Sequence, residues 1–273
     1  MLGRRRSCHR LGHRVGRSVR RRGVLMPELS LTRHDGVARV TIDRPERKHA
    51  WSAPMWAEMA DLMGKCAEDD SVRVVLVTST GDRVFSAGAD LEQFGGADTA
   101  AVRTSVEGVE SVMASIEACP KPVVAVVSGA AVGAGTEVAA ACDIRIASDQ
   151  AWFSIPAAIL GIVITRSDIA RLVRGVGASM ARDMLLTGRR LTAVEAQQIG
   201  FVRSIHSCDQ LDAAAMDLAT EIAALDGPAL AAMKAHLNTL GEVAWNEESW
   251  TSTLEAITSA ATQKRIAARL GDA

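Results

Sequence analysis

A chain of 273 residues, 48% of them hydrophobic, is long enough to bury one large core, with or without an appendage. Its 31 Lys+Arg and 32 Asp+Glu nearly cancel, but residues 1–26 hold nine Arg and no acid, which leaves the other 247 with 22 basic against 32 acidic groups, a net of about −10. So acidic a body, with only nine aromatics and no Tyr, argues against a nucleic-acid partner, whose phosphates and bases need clustered cations and stacking rings.

The opening stretch, MLGRRRSCHRLGHRVGRSVRRRGVL, lacks the apolar run of a secretory signal and the length of a membrane span. Residues 1–25 read as a disordered extension, or as the product of a start codon placed ahead of Met26, more readily than as an Arg-rich transit peptide. Leu29 and Leu31, then Asp35-Gly36, then Val37, Val40 and Ile42 predict two strands around a turn. From Ser52 to Glu68, Pro54 near the start and Met55, Met59, Leu62 and Met63 at helical spacing predict an amphipathic helix whose Met-rich face is core. A strand over Val72–Ser79, a helix over Ala101–Ala118, a buried strand over Pro122–Val127 and a helix over Ala134–Ala141 follow. Val123–Ala141 is apolar enough to suggest a membrane segment, but Ser128-Gly129 breaks it and Glu137 lies inside it, so strand, turn and helix fit better and no membrane partner is expected. Next come short strands at Asp143–Ala147 and Ala151–Ser154, and helices at Asp168–Arg174, Ser179–Leu186 and Ala193–Ile199. A strand at Phe201–Ile205 precedes three helices starting near Asp209, Pro228 and Glu247. Strands and helices interleave as far as Ile205 and only helices follow, which predicts an α/β core over residues 26–208 and a helical region over 209–273 packed on that core or on a neighbouring subunit. Cys8, Cys66, Cys119, Cys142 and Cys208 are scattered, without CxxC or His-rich spacing, so neither a disulfide framework nor a metal site is expected, and a reducing cytoplasm is the natural setting. His49 and His206 have no partner at triad or metal spacing and read as surface or satisfied residues.

Two stretches place small residues where one element ends and another begins. In Val84-Phe85-Ser86-Ala87-Gly88-Ala89-Asp90-Leu91, Gly88 permits a tight turn that leaves the Ala89 N–H pointing outward. In Ser128-Gly129-Ala130-Ala131-Val132-Gly133-Ala134-Gly135-Thr136-Glu137, a strand leads into a helix whose first N–H groups have no intrahelical partner, so the Ala134 N–H is a natural oxyanion donor. Together they could cradle a thioester carbonyl, although small residues also serve simply to pack turns closely. Neither stretch carries a dinucleotide or P-loop signature. Glu137, a carboxylate among small and apolar neighbours, would have its pKa raised by burial and so suit proton transfer; a first-turn Glu facing the helix dipole is the plainer alternative.

With these residues in view, the chain from about Leu29 to the end resembles the enoyl-CoA hydratase/isomerase, or crotonase, superfamily. The resemblance rests on Ile42-Asp43-Arg44-Pro45-Glu46-Arg47, Phe85-Ser86-Ala87-Gly88-Ala89-Asp90-Leu91, Lys121-Pro122-Val123-Val124-Ala125, Gly133-Ala134-Gly135-Thr136-Glu137, Ala141-Cys142-Asp143-Ile144-Arg145 and Leu186-Thr187-Gly188 with Ala193-Val194-Glu195-Ala196, all in order. It implies a spiral of ββα units with a helical C-terminal region used in trimer assembly, often as a dimer of trimers, and a coenzyme A thioester as substrate with no separate cofactor. It also implies that Ala89 and Ala134 supply the oxyanion N–H groups, the family usually having Gly where Ala134 stands. Arg47, Ala50, Ala87, Gly88, Asp90 and Gly133 fall in segments that in this family line the substrate path. Hydration in the family usually takes two carboxylates around one water. Glu137 matches the one that activates the water, but Phe153-Ser154-Ile155-Pro156-Ala157 has Ala157 where the second would stand. Asp168 is a possible substitute, although the simpler reading is that Ser167 or Asp168 caps the helix through Arg174. Thr165 stands where dienoyl isomerases of the family place an Asp, which leaves that reaction unsupported. The expected activity is therefore proton transfer on an enoyl thioester. Isomerisation or thioester hydrolysis is chemically simpler than hydration with one carboxylate, and a non-catalytic acyl-CoA binder or a scaffold is the alternative class.

Overall fold

The computed structural model describes residues 28–96, 98–239, 251, 254–255 and 257–271. The Arg-rich stretch and the helix start expected near Glu247 lie outside them.

β1 (Leu29–His34) and β2 (Val37–Ile42) form the expected antiparallel hairpin. Asp35 and Gly36 both sit at positive φ, 48° and 80°, which matches the twist of a tight hairpin turn to its strands. β2 then pairs in parallel with β3 (Val74–Ser79), and the sheet continues through β5 (Val123–Val127), β7 (Ile144–Ser148) and β10 (Ser204–His206). Each inner strand is followed by a short strand of a second sheet: β4 (Val84–Ser86) after β3, β6 (Ala130–Val132) after β5, and β8 (Trp152–Ser154) after β7, with β9 (Leu191–Thr192) closing the edge. This two-strand step, completed by a helix, is the ββα unit that the family resemblance implies.

Both faces of the larger sheet are buried, which is why its strands read as unbroken apolar runs. Val75 and Val77 point toward α1 (Ala53–Glu68) and α2 (Thr99–Ala118), where Met55, Met59, Met63, Val112, Met113 and Ile116 fill the layer. Val74 and Leu76 point the other way, under Leu211, Leu218 and Ile222 of α8 (Leu211–Ala223). The strand expected from Phe201 begins only at Ser204. Phe201 is instead a core plug, edge-on to Phe153 at 5.0 Å between ring centres.

The core on the α1–α2 side is completed by α3 (Ala134–Ala141), the short α4 (Ala157–Leu160), α5 (Arg166–Val176), α6 (Ala178–Thr187) and α7 (Ala193–Gln198). In the C-terminal region, α9 (Gly227–Thr239) is pinned by Lys234, whose Nζ lies 2.8 Å from Asp143 Oδ2 and donates to Ile116 O and Lys121 O at 3.0 and 3.2 Å. Leu254, Ile257 and Ile266, the last on α10 (Ala260–Gly271), pack on Phe94, Val102 and Val106. No helix among the described residues is long and apolar enough to cross a membrane.

A close backbone contact joins the end of β4 to α3. A Cβ on Gly135 would lie 2.6 Å from Ser86 O and 2.8 Å from Ser86 Cβ. Gly135→Ala should therefore cost ~1–3 kcal/mol of stability through overpacking, read as a lower urea midpoint with an unchanged slope; an unaltered midpoint would mean that the contact can relax freely.

Candidate functional site

α3 starts where β6 ends, and its position is fixed by hydrogen bonds rather than by a side-chain cap. Gly133 N–H donates to Ser154 O at 2.8 Å, Thr136 Oγ1 donates to Ala131 O at 2.7 Å, and Thr136 Oγ1 accepts the Ser154 N–H at 3.2 Å. These bonds hold the helix against β6 and β8, with its first N–H groups at the mouth of a cavity. As the first residue of the helix, Ala134 has no intrahelical acceptor for its N–H.

The loop after β4 meets it there. Gly88 has φ +90°, and a Cβ on it would stand 2.6 Å from Val132 O and 3.1 Å from Ala134 N, so only glycine permits this approach. Trp51 pairs with the segment on both sides of Ala89: Trp51 N–H donates to Gly88 O at 2.8 Å and Asp90 N–H donates to Trp51 O at 2.9 Å. A parallel bridge of this kind turns the Ala89 N–H away from Trp51, and no acceptor takes it among the described residues. Two unengaged N–H groups, Ala89 and Ala134, thus border one space.

That space is a cavity of about 390 Å³, walled mostly by apolar side chains and within the usual size of small-molecule sites. Ala87, Gly88, Ala89, Gly133, Ala134, Glu137 and Ala157 all line it. Arg47, Ala50 and Asp90 do not. Arg47 is exposed and pairs with Glu92 at 2.8 Å. Ala50 and Asp90 are tied together from behind by Arg44, which donates to Ala50 O at 2.9 Å and to Asp90 Oδ2 at 2.8 Å. Asp90 also accepts the Glu92 N–H at 3.2 Å and so caps the 3-10 turn Leu91–Gln93. His49 is satisfied as expected, accepting the Arg44 N–H at 3.1 Å while its other ring nitrogen lies 3.0 Å from Thr80 O.

Glu137 reaches the cavity from the first turn of α3, 5% exposed. No hydrogen bond reaches its carboxylate among the described residues. Burial, reinforced by the negative charge of Asp168, raises its pKa well above the ordinary carboxylate value, and Arg171 offsets this only in part.

The expected cap at Ser167 or Asp168 is not what forms. Thr165 is the N-cap of α5: its Oγ1 accepts the Asp168 N–H at 3.2 Å. A Thr at this position needs no help from the next turn, which leaves Asp168 to point into the cavity at 4% exposure. Its two oxygens are held separately, Oδ2 by the Thr165 hydroxyl at 2.6 Å and Oδ1 by Arg171 at 3.0 Å. Burial, followed by the charge of Glu110, pushes its pKa up to about 6.

Behind Asp168, Arg171 forms a two-pronged pair with Glu110, at 2.7 and 2.9 Å, and a third bond to Glu117 at 2.9 Å. Burial alone would raise the Glu110 pKa, but the Arg171 and Ser167 hydrogen bonds and the Arg171 charge outweigh it and hold Glu110 ionised. The sequence reading missed this support. The far walls come from Phe94 ahead of α2, Val106 on α2, and Ile257 and Arg269 of the C-terminal region. Cys142 lies buried in the core, with its thiol pKa pushed up to about 12 by burial.

The sequence profile of the enoyl-CoA hydratase/isomerase family matches residues 32–266. The chain is 35% identical over 219 residues to the 2,3-dehydroadipyl-CoA hydratase of Escherichia coli (strain K12), an alignment spanning 80% of this chain and 85% of that one. It is also 35% identical over 192 residues to the short-chain-enoyl-CoA hydratase of Clostridium acetobutylicum, spanning 70% and 74%. Among solved structures, an enoyl-CoA hydratase/isomerase from Xanthobacter autotrophicus Py2 superposes with a TM-score of 0.82 at 29% identity, over 91% of this chain and 94% of that one. The chain belongs to the enoyl-CoA hydratase/isomerase family.

Proposed function

We propose that this protein transforms an enoyl-CoA thioester, with the Ala89 and Ala134 N–H groups stabilising the oxyanion of the thioester and Glu137 moving a proton at the carbon chain beside it. The observation that carries the reading is the meeting of two unengaged backbone donors and one buried, unbonded carboxylate in a single apolar-walled cavity. Such donors act where charge develops, and their benefit is largest where water is excluded. When an α,β-unsaturated thioester accepts a nucleophile or loses a proton, negative charge moves onto its carbonyl oxygen. A carboxyl kept neutral by burial is suited to give a proton to the neighbouring carbon.

Coenzyme A enters this scheme as part of the substrate, and no separate cofactor is invoked. The hydratase names of two relatives support an enoyl thioester over a saturated one. Assembly as a trimer or a dimer of trimers belongs to the same reading, and exposed Leu186, Met233 and Leu237 in the second half of the chain offer apolar surface for it.

Two outcomes are expected. Glu137→Gln should lower turnover of 2-enoyl- or 3-enoyl-CoA by ~10²–10⁴-fold, followed by absorbance of the conjugated thioester, while affinity for a saturated acyl-CoA stays within a few-fold; full turnover in this variant would mean that Glu137 moves no proton in the reaction, and tight binding with no turnover in the parent would leave an acyl-CoA binder. The second concerns stability. The Glu137 carboxyl titrates higher in the fold than in the unfolded chain, so the native state holds the extra proton and loses stability as pH rises through the interval between the two values. The Glu137→Gln protein should therefore melt higher than the parent at pH 8, with the advantage fading toward pH 4, near the unfolded value of about 4.3; a gain independent of pH would contradict the burial cause.

A further inference from the structure

We propose that Asp168 is the second proton-transferring group of this site, acting as the base toward water, and that this makes the protein a hydratase although Ala157 carries no carboxylate. The inference rests on the reading of the cavity as an enoyl-thioester site.

Position comes first. Asp168 stands in the first turn of α5, α5 packs on α3, and Asp168 and Glu137 line the same cavity, as does Ala157. A carboxylate is thus returned to the cavity from the helix that follows the usual position.

Local structure does not require that carboxylate. The helix start is already capped by Thr165. Arg171 is already neutralised, by a two-pronged bond to Glu110 and a further bond to Glu117. Arg174 adds a second cation on Glu117, yet Glu110, Glu117, Asp168 and Glu137 still outnumber the two guanidiniums. An Asn at 168 could keep an oxygen toward Arg171 and turn its NH2 toward the Thr165 hydroxyl, whose own proton has Ser167 Oγ at 2.9 Å as an alternative acceptor, without burying another negative charge beside Glu137. Burying like charges that no packing demand explains is costly, and such pairs recur where protons are moved.

Hydrogen bonding divides the roles. Asp168 has a donor on each oxygen, one of them cationic, and Glu137 has none. Donors favour the ionised form, so of the single proton that two crowded carboxylates share, Glu137 keeps it and Asp168 is the anion. In the forward step, Asp168 takes a proton from water, whose oxygen bonds to the β-carbon. The π pair of the carbon–carbon bond moves toward the carbonyl, and the oxyanion is held by the Ala89 and Ala134 N–H groups. The enolate then collapses as Glu137 gives its proton to the α-carbon. One water has been added across the double bond; Asp168 is left protonated and Glu137 ionised. Transfer of the proton from Asp168 to Glu137 across the cavity restores the resting pair. The resemblance assigns water activation to Glu137, so this division is the reverse.

The test is hydration of a 2-enoyl-CoA by the full chain and three variants. Asp168→Asn should lose ~10²–10⁴-fold in turnover with saturated acyl-CoA affinity kept within a few-fold. The double variant Asp168→Asn with Ala157→Glu should regain at least a tenfold part of that loss, which a structural role for Asp168 would not produce. The unmutated protein gives an independent readout that needs no variant to fold: turnover should fall on acidification through about pH 6 as Asp168 takes up a proton. The charged groups around Asp168 are Glu137 from α3, Glu110 from α2 and Arg171 from its own helix, with Glu117 beyond Arg171 and Arg269 of α10 on the wall of the same cavity. Turnover of Asp168→Asn within twofold of the parent, or a parent profile flat from pH 5 to 8, overturns the proposal. If Glu137→Gln is inactive in the same experiment, the enoyl-thioester reading survives that failure; if Glu137→Gln is fully active too, both fall.

Discussion

The close approach of the Ser86–Gly88 turn to the first turn of α3 is the constraint on which the cavity depends. Two chain segments some fifty residues apart touch through backbone atoms, and a methyl group on either glycine would collide with a carbonyl oxygen at 2.6 Å. Once that contact is made, much follows without further design. The helix N-terminus and the turn present their N–H groups to one space, Thr136 locks α3 to the strands behind it, and Glu137, one turn in, is turned away from solvent. The site is built first from peptide groups and only then from side chains. Ala can therefore stand at 134, where the family resemblance leads one to expect Gly.

The second constraint is electrostatic. An apolar-walled cavity that holds two carboxylates must either neutralise them or tie their charge to a cation. Here it does some of each: Asp168 leans on Arg171, which is itself clamped between Glu110 and Glu117 on α2. Because these partners come from α2 and α5, the same ion network that settles the charge of Asp168 also fixes the angle at which the two helices meet. On the proposed reading, the stability lost to burying Glu137 is the expected counterpart of a site kept ready for proton transfer.

Much of the architecture could be read from the sequence because it is written in local terms. The hairpin at Asp35-Gly36, the Met face of α1 and the apolar runs of β3 and β5 all rest on periodicity or turn chemistry. β4 and β6 escaped because three-residue strands carry no period, and each is strand only by virtue of a parallel neighbour from elsewhere in the chain. Glu137 stood out because a charge among small residues is conspicuous. Asp168 did not, since an acid in a first helical turn has an ordinary explanation; the capping role of Thr165 and the Arg171 partners on α2, 54 and 61 residues away, remove that explanation. Ile257 and Arg269 enter the wall through tertiary packing alone.

The indole rings of Trp51 and Trp56 lie stacked at 4.7 Å with their planes only 10° apart, both sealed from solvent. Two indole rings stacked so closely interact electronically, which gives the folded chain an optical signature in the near-ultraviolet that no tyrosine overlays. One ring of that pair belongs to the residue whose backbone grips Gly88 and Asp90 on either side of Ala89. A ligand that pulls on the Ala89 N–H pulls on this strand of peptide bonds as well, so the molecule carries its own chromophore wired to the donor it offers.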